Sequence, residues 1–416
     1  MRDPAKKFTS VLAAVTAALV LSVASQAVAA APASHWLPAW YAAPEPNGWA
    51  PAELKDVTLR QIVHLTAGGT SVRLRFSNKY GAAPLHIDAV SVAGRAKGGD
   101  LTPGSSHAVT FQGKTEITIA AGAQILSDPV AFEVAPYSDL AISLYLGAPA
   151  TTGTMHVVQR NAAYFAQGNQ IAAETLTAPI AAPVSGQSWL WLSEVEVGGS
   201  NAKMTVVTFG DSITDGVGPA ADSNATWPDI LAQRFHERHI KLSLTNAGIS
   251  GNRLLHDGMW PAFGVAAVAR FDADVLAQPS VDSVIVALGI NDIGHPGGDA
   301  PMDQFVSPAQ IEDALSQLAE RAHDNGIKIY VGTLMPFKMT VFKGYYTDDK
   351  EAIRQQVNAW IRSQTVFDGV ADLDKALDDP AAPGNLLPAY DSGDHLHPSA
   401  AGNAAIAGAI PLKWFK

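Results

Sequence analysis

The chain has 416 residues, of which 47% are hydrophobic and 16% charged. That globular balance excludes a disordered, collagen-like or coiled-coil protein, and at roughly 150 residues per domain it leaves room for about two or three domains. A net charge of −11 and the complete lack of cysteine count against a nucleic-acid or anionic-lipid partner and remove thiol nucleophiles, disulfides and cysteine-ligated metal sites.

Arg2, Lys6 and Lys7 precede an uncharged apolar run from Val11 to Val23 and then the small-residue sequence Ala27-Val28-Ala29. This order predicts a secretory signal peptide over residues 1–29. The run is shorter than the roughly 20 residues that span a bilayer, so the expected mature protein is periplasmic or secreted, with no membrane span. A chain of this length can be stable there without disulfides.

From Trp36 to Gly199 apolar residues recur with period two. Val72, Leu74 and Phe76 alternate with Arg73, Arg75 and Ser77, and Leu140, Ile142, Leu144 and Leu146 alternate with Ala141, Ser143 and Tyr145. Further strands are expected over Val57–Leu65, Leu85–Val92, Glu116–Ile119, Met155–Arg160 and Trp189–Val197, separated by turn residues such as Gly98-Gly99-Asp100. The expectation for residues 33–199 is an all-β sandwich of jelly-roll type. Trp36, Trp40, Tyr41 and Trp49 at its start can stack on sugars, which would make this a carbohydrate-binding module, or fill a core or interdomain seam, the commoner fate of such rings.

Gly198-Gly199-Ser200-Asn201 reads as a linker, and residues 203–416 alternate strand and helix signals. Strands are expected over Met204–Phe209, Lys241–Thr245, Ser283–Leu288, Lys328–Leu334 and Val370–Leu373. Helices are expected over Trp227–Arg238, Ala266–Leu276, Pro308–Asn325 and Asp349–Thr365, and from Ala400 onward. Five strands interleaved with helices imply a five-stranded parallel sheet covered on both faces; the wholly apolar run Val284 to Leu288 agrees. Ser307 with Gln310 and Asp348 with Glu351 have capping-box spacing, and Gly326 closes the first of these two helices.

Ligands of such sheets bind outside the carboxyl ends of the strands. There the chain carries Gly210-Asp211-Ser212-Ile213-Thr214, Asn246-Ala247-Gly248-Ile249-Ser250-Gly251-Asn252, Gly289-Ile290-Asn291-Asp292 and Asp394-His395-Leu396-His397-Pro398. These are the groups acyl transfer needs. A serine hydroxyl requires a base to take its proton, and His397 is the candidate. Asp394 can fix the tautomer of that histidine. The backbone N–H groups of Ser212 and Gly251 and the side-chain amide of Asn291 can hold an oxyanion. Each segment alone is ordinary loop chemistry; four in order, each after its strand, point to catalysis.

At these residues the chain resembles the SGNH hydrolases, also called GDSL esterases and lipases. Gly210-Asp211-Ser212-Ile213 looks like their first block with Ile in place of Leu. Gly251 matches the second-block glycine, Asn291 the third-block asparagine, and Asp394 with His397 the final Asp-x-x-His. The resemblance covers about Met204 to Leu412. It implies a flavodoxin-like three-layer fold and a serine ester hydrolase that needs no cofactor. No Gly-x-Ser-x-Gly surrounds Ser212. The upstream β-rich segment, Trp227-Pro228-Asp229 and Gly251-Asn252-Arg253 are similar to a two-domain bacterial subfamily associated with xylan degradation. That similarity implies short acyl esters, acetyl groups on plant polysaccharide among them.

Arg253, Trp260 and His295 are further candidates for substrate contacts, with a surface ion pair as the alternative for Arg253 and core packing as the alternative for Trp260. His295, His395 and His397 with Asp391 and Asp394 form a second reading, a metal-dependent hydrolase. It would consume the only base placed for Ser212. A catalytically silent carbohydrate-binding protein is the third reading. The expected partner is a small acyl ester or acetylated carbohydrate, and the sequence carries no signal for an oligomeric state.

Overall fold

Period-two alternation becomes two antiparallel sheets in the first half of the chain. The computed structural model describes residues 35–158, 161–182 and 188–416, so the expected signal peptide lies outside the described residues. One sheet has the spatial order Trp36–Tyr41, Leu192–Gly198, Gly69–Ser77 and Gln124–Leu126, with Val130–Val134 also on Gly69–Ser77. The other has the order Ala163–Gln167, Val57–His64, Asp139–Leu146, Ala89–Lys97 and Asp100–Leu101, with His107–Val109 also on Ala89–Lys97. Their apolar sides share one core: Val72, Leu74 and Phe76 from the first and Leu140, Ile142 and Leu144 from the second are buried in it. On the opposite side of the first sheet Arg73 and Arg75 pair with Glu196 and Glu194 across the neighbouring strand, as cross-strand charges of opposite sign favour.

Three expected strands change, the first being Leu85–Val92, which is divided between Leu85–Ile87 and Ala89–Lys97. Trp189–Val197 is split into Trp189–Leu190 and Leu192–Gly198, because Trp191 between them takes φ 59°, a left-handed conformation that breaks a ladder. The strand expected over Met155–Arg160 is Thr154–His156, and the end of the expected range, residues 159 and 160, lies outside the described residues. The aromatic start forms the strand Trp36–Tyr41, and its rings pack: Trp40 meets Trp189 edge-on at 5.0 Å, and the Arg73 guanidinium lies 4.4 Å from the Trp36 ring centre.

In the second half Leu242–Gly248, Met204–Gly210, Val281–Ala287, Lys328–Gly332 and Gly369–Ala371 lie side by side in that order, all parallel. The chain starts in an inner strand, goes to one edge and returns past its start. The carboxyl ends of Met204–Gly210 and Val281–Ala287 therefore flank the point where strand order reverses, the usual ligand crevice. Helix Pro308–Asp324 carries the expected Ser307/Gln310 box, and Gly326 follows it at φ +70°. The cap of helix Asp348–Ser363 is corrected: Thr347, extended at φ −147°, accepts the Lys350 N–H, and Asp348 is already helical. The stretch Ala266–Leu276 is a short α-helix, Ala267–Phe271, followed by a π turn, Asp272–Leu276.

Residues Ala33–Lys416 form one compact unit. Tyr41 and Ala43 from the first half are buried in the core of the parallel sheet, and Thr66 donates to the Leu244 carbonyl of its edge strand at 2.8 Å. The β-rich half thus abuts the edge of the sheet that leads to the Gly251 loop.

Candidate active site

The strand Met204–Gly210 ends beneath a single helical turn, Ser212–Asp215. Asp211 caps that turn by accepting the Ile213 N–H at 3.0 Å. Ser212 is consequently the first helical residue. Its own N–H is one of the donors that a helix start leaves free, and it has no acceptor among the described residues. Burial pushes the Asp211 carboxyl up to about 7, although the Ile213 N–H and the charge of His397 oppose this.

His397 lies 185 residues further along the chain, yet its Nε2 is 2.8 Å from Ser212 Oγ. Its Nδ1 is 2.6 Å from Asp394 Oδ2. The other Asp394 oxygen accepts the N–H groups of Leu396 and His397 at 3.0 and 2.8 Å, which curls the loop so that aspartate and imidazole face each other. Burial works against the Asp394 charge, but the bond and charge of His397 and the two N–H groups outweigh it and hold the carboxyl well below the usual carboxylate range. An ionised Asp394 keeps the imidazole proton on Nδ1 and leaves Nε2 to accept from the serine.

The Gly251 loop and Asn291 close the other side. Gly251 has φ +75°, and a Cβ there would lie 2.3 Å from the Phe263 ring. Its N–H has no acceptor among the described residues. Asn291 Nδ2 donates to the Asn252 carbonyl at 2.9 Å, while Asn291 Oδ1 accepts from the Tyr345 hydroxyl at 2.6 Å. The amide is therefore held from both ends, with one N–H still uncommitted. Asn252 is itself anchored by Arg270, whose buried guanidinium donates to Asn252 Oδ1 at 2.9 Å and to the carbonyls of Ala247 and Gly210 at 2.8 and 2.9 Å, with Asp274 as its counter-ion. One cation thus ties the ends of two strands to the loop that follows the second of them. Asp292 accepts the N–H groups of Leu254 and Leu255, and burial nonetheless raises it to about 6.

The candidate substrate contacts fare differently. Arg253 is 1% exposed, and its guanidinium donates to Gln304 Oε1 at 2.7 Å and to the Asp257 carbonyl. It is a buried strut rather than a cleft-facing charge. Trp260 spends its indole N–H on the Gly48 carbonyl at 2.7 Å and packs edge-on against Trp49 at 4.6 Å, joining the β-rich half to this loop. His295 is buried beside Phe263 and Tyr345, with Nδ1 on Asp299 and no partner for Nε2 among the described residues. The histidine and aspartate set read as a metal site does not converge. His395 pairs with Asp391, and the one group of three among the described residues whose ligand atoms lie within 4.8 Å of one another is Glu45, His156 and Asp215. Sequence reasoning missed that group, together with Tyr345, Arg270 and Phe342, whose ring centre is 6.0 Å from His397. Asp215 had a signal, its place one helical turn after Ser212; the others had none.

Residues 208–405 match the GDSL-like Lipase/Acylhydrolase family. That segment contains Ser212, Gly251, Asn291, Asp394 and His397, and the match supports ester hydrolysis as its chemistry. No curated protein matches the chain in sequence. Among solved structures, the chain is similar to a carbohydrate acetylesterase from Sinorhizobium meliloti, with 19% identity, 50% of this chain and 96% of that chain covered, and a TM-score of 0.39. A lipase/acylhydrolase from Enterococcus faecalis has 20% identity, with 50% and 93% covered and a TM-score of 0.37. An aryl esterase from M. smegmatis has 18% identity, with 50% and 95% covered and a TM-score of 0.39. No helix among the described residues is long and apolar enough to cross a membrane.

Proposed function

We propose that this protein is a secreted serine esterase in which Ser212 is the nucleophile, His397 the general base and Asp394 its orienting partner. The observation that supports this reading most directly is the unbroken line of short contacts from Asp394 through His397 to Ser212, at 2.6 and 2.8 Å. Ser212 Oγ bonds to the ester carbonyl carbon as its proton passes to His397 Nε2. The oxyanion that forms is held by the N–H groups of Ser212 and Gly251 and by the uncommitted N–H of Asn291. Collapse breaks the carbon–oxygen bond to the alcohol, which leaves with the proton from His397. Water then repeats the sequence on the acyl-serine, releases the acid and restores the hydroxyl.

The substrates in this reading are short acyl esters, acetyl groups on plant polysaccharide among them, with Phe342 beside His397 as an apolar wall for the acyl group. The β-rich residues 33–199 form an accessory domain of jelly-roll type, residues 203–416 the hydrolase domain, and residues 1–29 the signal peptide. The accessory domain braces the site rather than binding polymer: all four rings at its start are committed to packing, Trp36 and Trp40 within this half, Tyr41 in the core of the parallel sheet and Trp49 against Trp260. The test is Ser212→Ala assayed on p-nitrophenyl esters of increasing chain length and on acetylated xylan. The variant is expected to melt like wild type while kcat falls by several orders of magnitude; near-normal turnover in the folded variant refutes the nucleophile. A preference for long chains over acetyl would overturn the substrate class and leave the nucleophile standing.

A further inference from the structure

We infer that His156 is a positioning residue for ester hydrolysis: clamped between Glu45 and Asp215, it holds Asp215 in place and, through it, the Ser250–Gly251 peptide whose N–H faces the reacting oxygen. The inference rests on the Ser212 reading above and adds to it a group on the other half of the molecule. His156 ends the strand Thr154–His156, is buried, and lies against the Trp189 ring at 5.7 Å. Its Nε2 is 3.0 Å from Asp215 Oδ1. Its Nδ1 is 3.0 Å from the Ala43 carbonyl, to which it donates, and 3.1 Å from Glu45 Oε1, which serves as a charge partner rather than a hydrogen-bond acceptor.

Both ring nitrogens face acceptors, and only the imidazolium can donate from both. Burial alone would push this histidine down, but the charges of Glu45 and Asp215 and the bond to Asp215 outweigh it and hold it well above its ordinary value. The ring is therefore a fixed cation between two acids. Glu45 is pushed up by burial, and His156 opposes that rise.

Asp215 carries the effect to the site. It closes the turn that begins with Ser212, its N–H bonded to the Asp211 carbonyl at 2.8 Å. Its second oxygen, Oδ2, accepts both the N–H and the hydroxyl of Ser250, at 3.0 and 2.6 Å. Ser250 immediately precedes Gly251, so the same carboxylate sits on the nucleophile's turn and grips the residue next to the oxyanion donor. Without the cation two buried carboxylates face each other unpaired, an arrangement that the low-dielectric interior penalises heavily. Asp215 is then free to turn from Ser250, and the Gly251 N–H loses its aim. His156 makes its contacts on opposite edges of the ring, so it acts as the cation of this cluster rather than as a ligand sharing an ion with both acids.

The test uses the full chain. His156→Gln is expected to lower kcat for p-nitrophenyl acetate by roughly 10- to 100-fold, the scale on which a small misplacement of reacting groups acts. KM is expected to stay within about twofold and the midpoint of the pH–rate curve to stay in place, because His397 is untouched. Asp215→Ala is expected to match that loss. Asp215→Asn is expected to recover at least a third of wild-type kcat, because an amide can accept from Ser250 through its oxygen and donate to a neutral His156. A folded His156→Gln with kcat within about threefold of wild type overturns the inference. So does equal kcat in Asp215→Ala and Asp215→Asn, which decides the matter if His156→Gln does not fold. Wild-type activity that EDTA abolishes and zinc restores, with no such response in His156→Gln, assigns the cluster to a metal instead. Ser212→Ala is run alongside: if it keeps its turnover, the esterase reading fails first, whatever His156 does.

Discussion

Removing the Asn291 amide and removing the Tyr345 hydroxyl that aims it should have different, linked costs. Asn291 is 3% exposed and held by two bonds, Nδ2 to the Asn252 carbonyl at 2.9 Å and Oδ1 from Tyr345 at 2.6 Å. On the proposed reading Asn291→Ala removes an oxyanion donor outright, which costs about 3–4 kcal/mol of transition-state stabilisation, or about 100- to 1000-fold in kcat. Tyr345→Phe deletes one oxygen and leaves Asn291 Oδ1 buried without a partner, a loss of about 1–3 kcal/mol of folding stability. Asn252 still grips the amide, so kcat is expected to fall only about 3- to 30-fold. Burial, reinforced by Asp211, Asp299 and Asp292, holds the Tyr345 hydroxyl well above its ordinary pKa, so it remains a donor across the assay range. If the hydroxyl acts through Asn291, the double variant should be no slower than Asn291→Ala alone. The assay is p-nitrophenol release under saturating substrate, with thermal melts to confirm folding. A Tyr345→Phe effect of full size in the Asn291→Ala background would refute the reasoning, because the hydroxyl would then act on something other than Asn291.

His397→Ala is expected to lose activity about as severely as Ser212→Ala, whereas His395→Ala, whose side chain is 43% exposed and paired with Asp391, should stay within about tenfold of wild type in kcat on p-nitrophenyl acetate; the reverse order would reassign the base. Asp211→Asn probes the acid that burial raises from 3.8 to about 7. Between about pH 4 and pH 7 the folded chain keeps a proton that the unfolded chain releases, so wild-type stability falls as pH rises through that window. The variant keeps a capping side chain without the charge. It should melt with wild type below pH 4 and become more stable by on the order of 1–4 kcal/mol above pH 7. Other buried acids contribute equally to both proteins and cancel, and a difference in melting that does not vary with pH would show that the burial argument is wrong.

The assembly of the candidate site was legible because its parts are local. Gly210-Asp211-Ser212 and Gly289-Ile290-Asn291 follow apolar strands directly, and Asp394 reaches His397 across a three-residue turn, so sheet periodicity and spacing carried these groups to one edge. The Ser307/Gln310 cap was legible for the same reason, since capping depends on neighbours three residues apart. The cap at Thr347 was not, because Asp348 and Thr347 both suit the position and only the backbone angle separates them. Arg253 was misplaced by a sound rule, that charges sit at surfaces; Gln304 and the Asp257 carbonyl satisfy its guanidinium and let it stay inside.

By itself, then, the sequence determined the class of each half, the order of the parallel strands' motifs and the meeting of Ser212, Asp394 and His397 at one sheet edge. The tertiary structure alone decided what steadies that group. Tyr345 reaches Asn291 across 54 residues and His156 reaches Asp215 across 59. The physical reason is one of range. Periodicity records which side of a strand or helix is buried, because burial is decided by a residue's own element. A hydrogen bond between buried polar groups acts over about 3 Å, and which two groups meet at that distance is set by how one element packs on another, a relation that leaves no period or spacing in the chain.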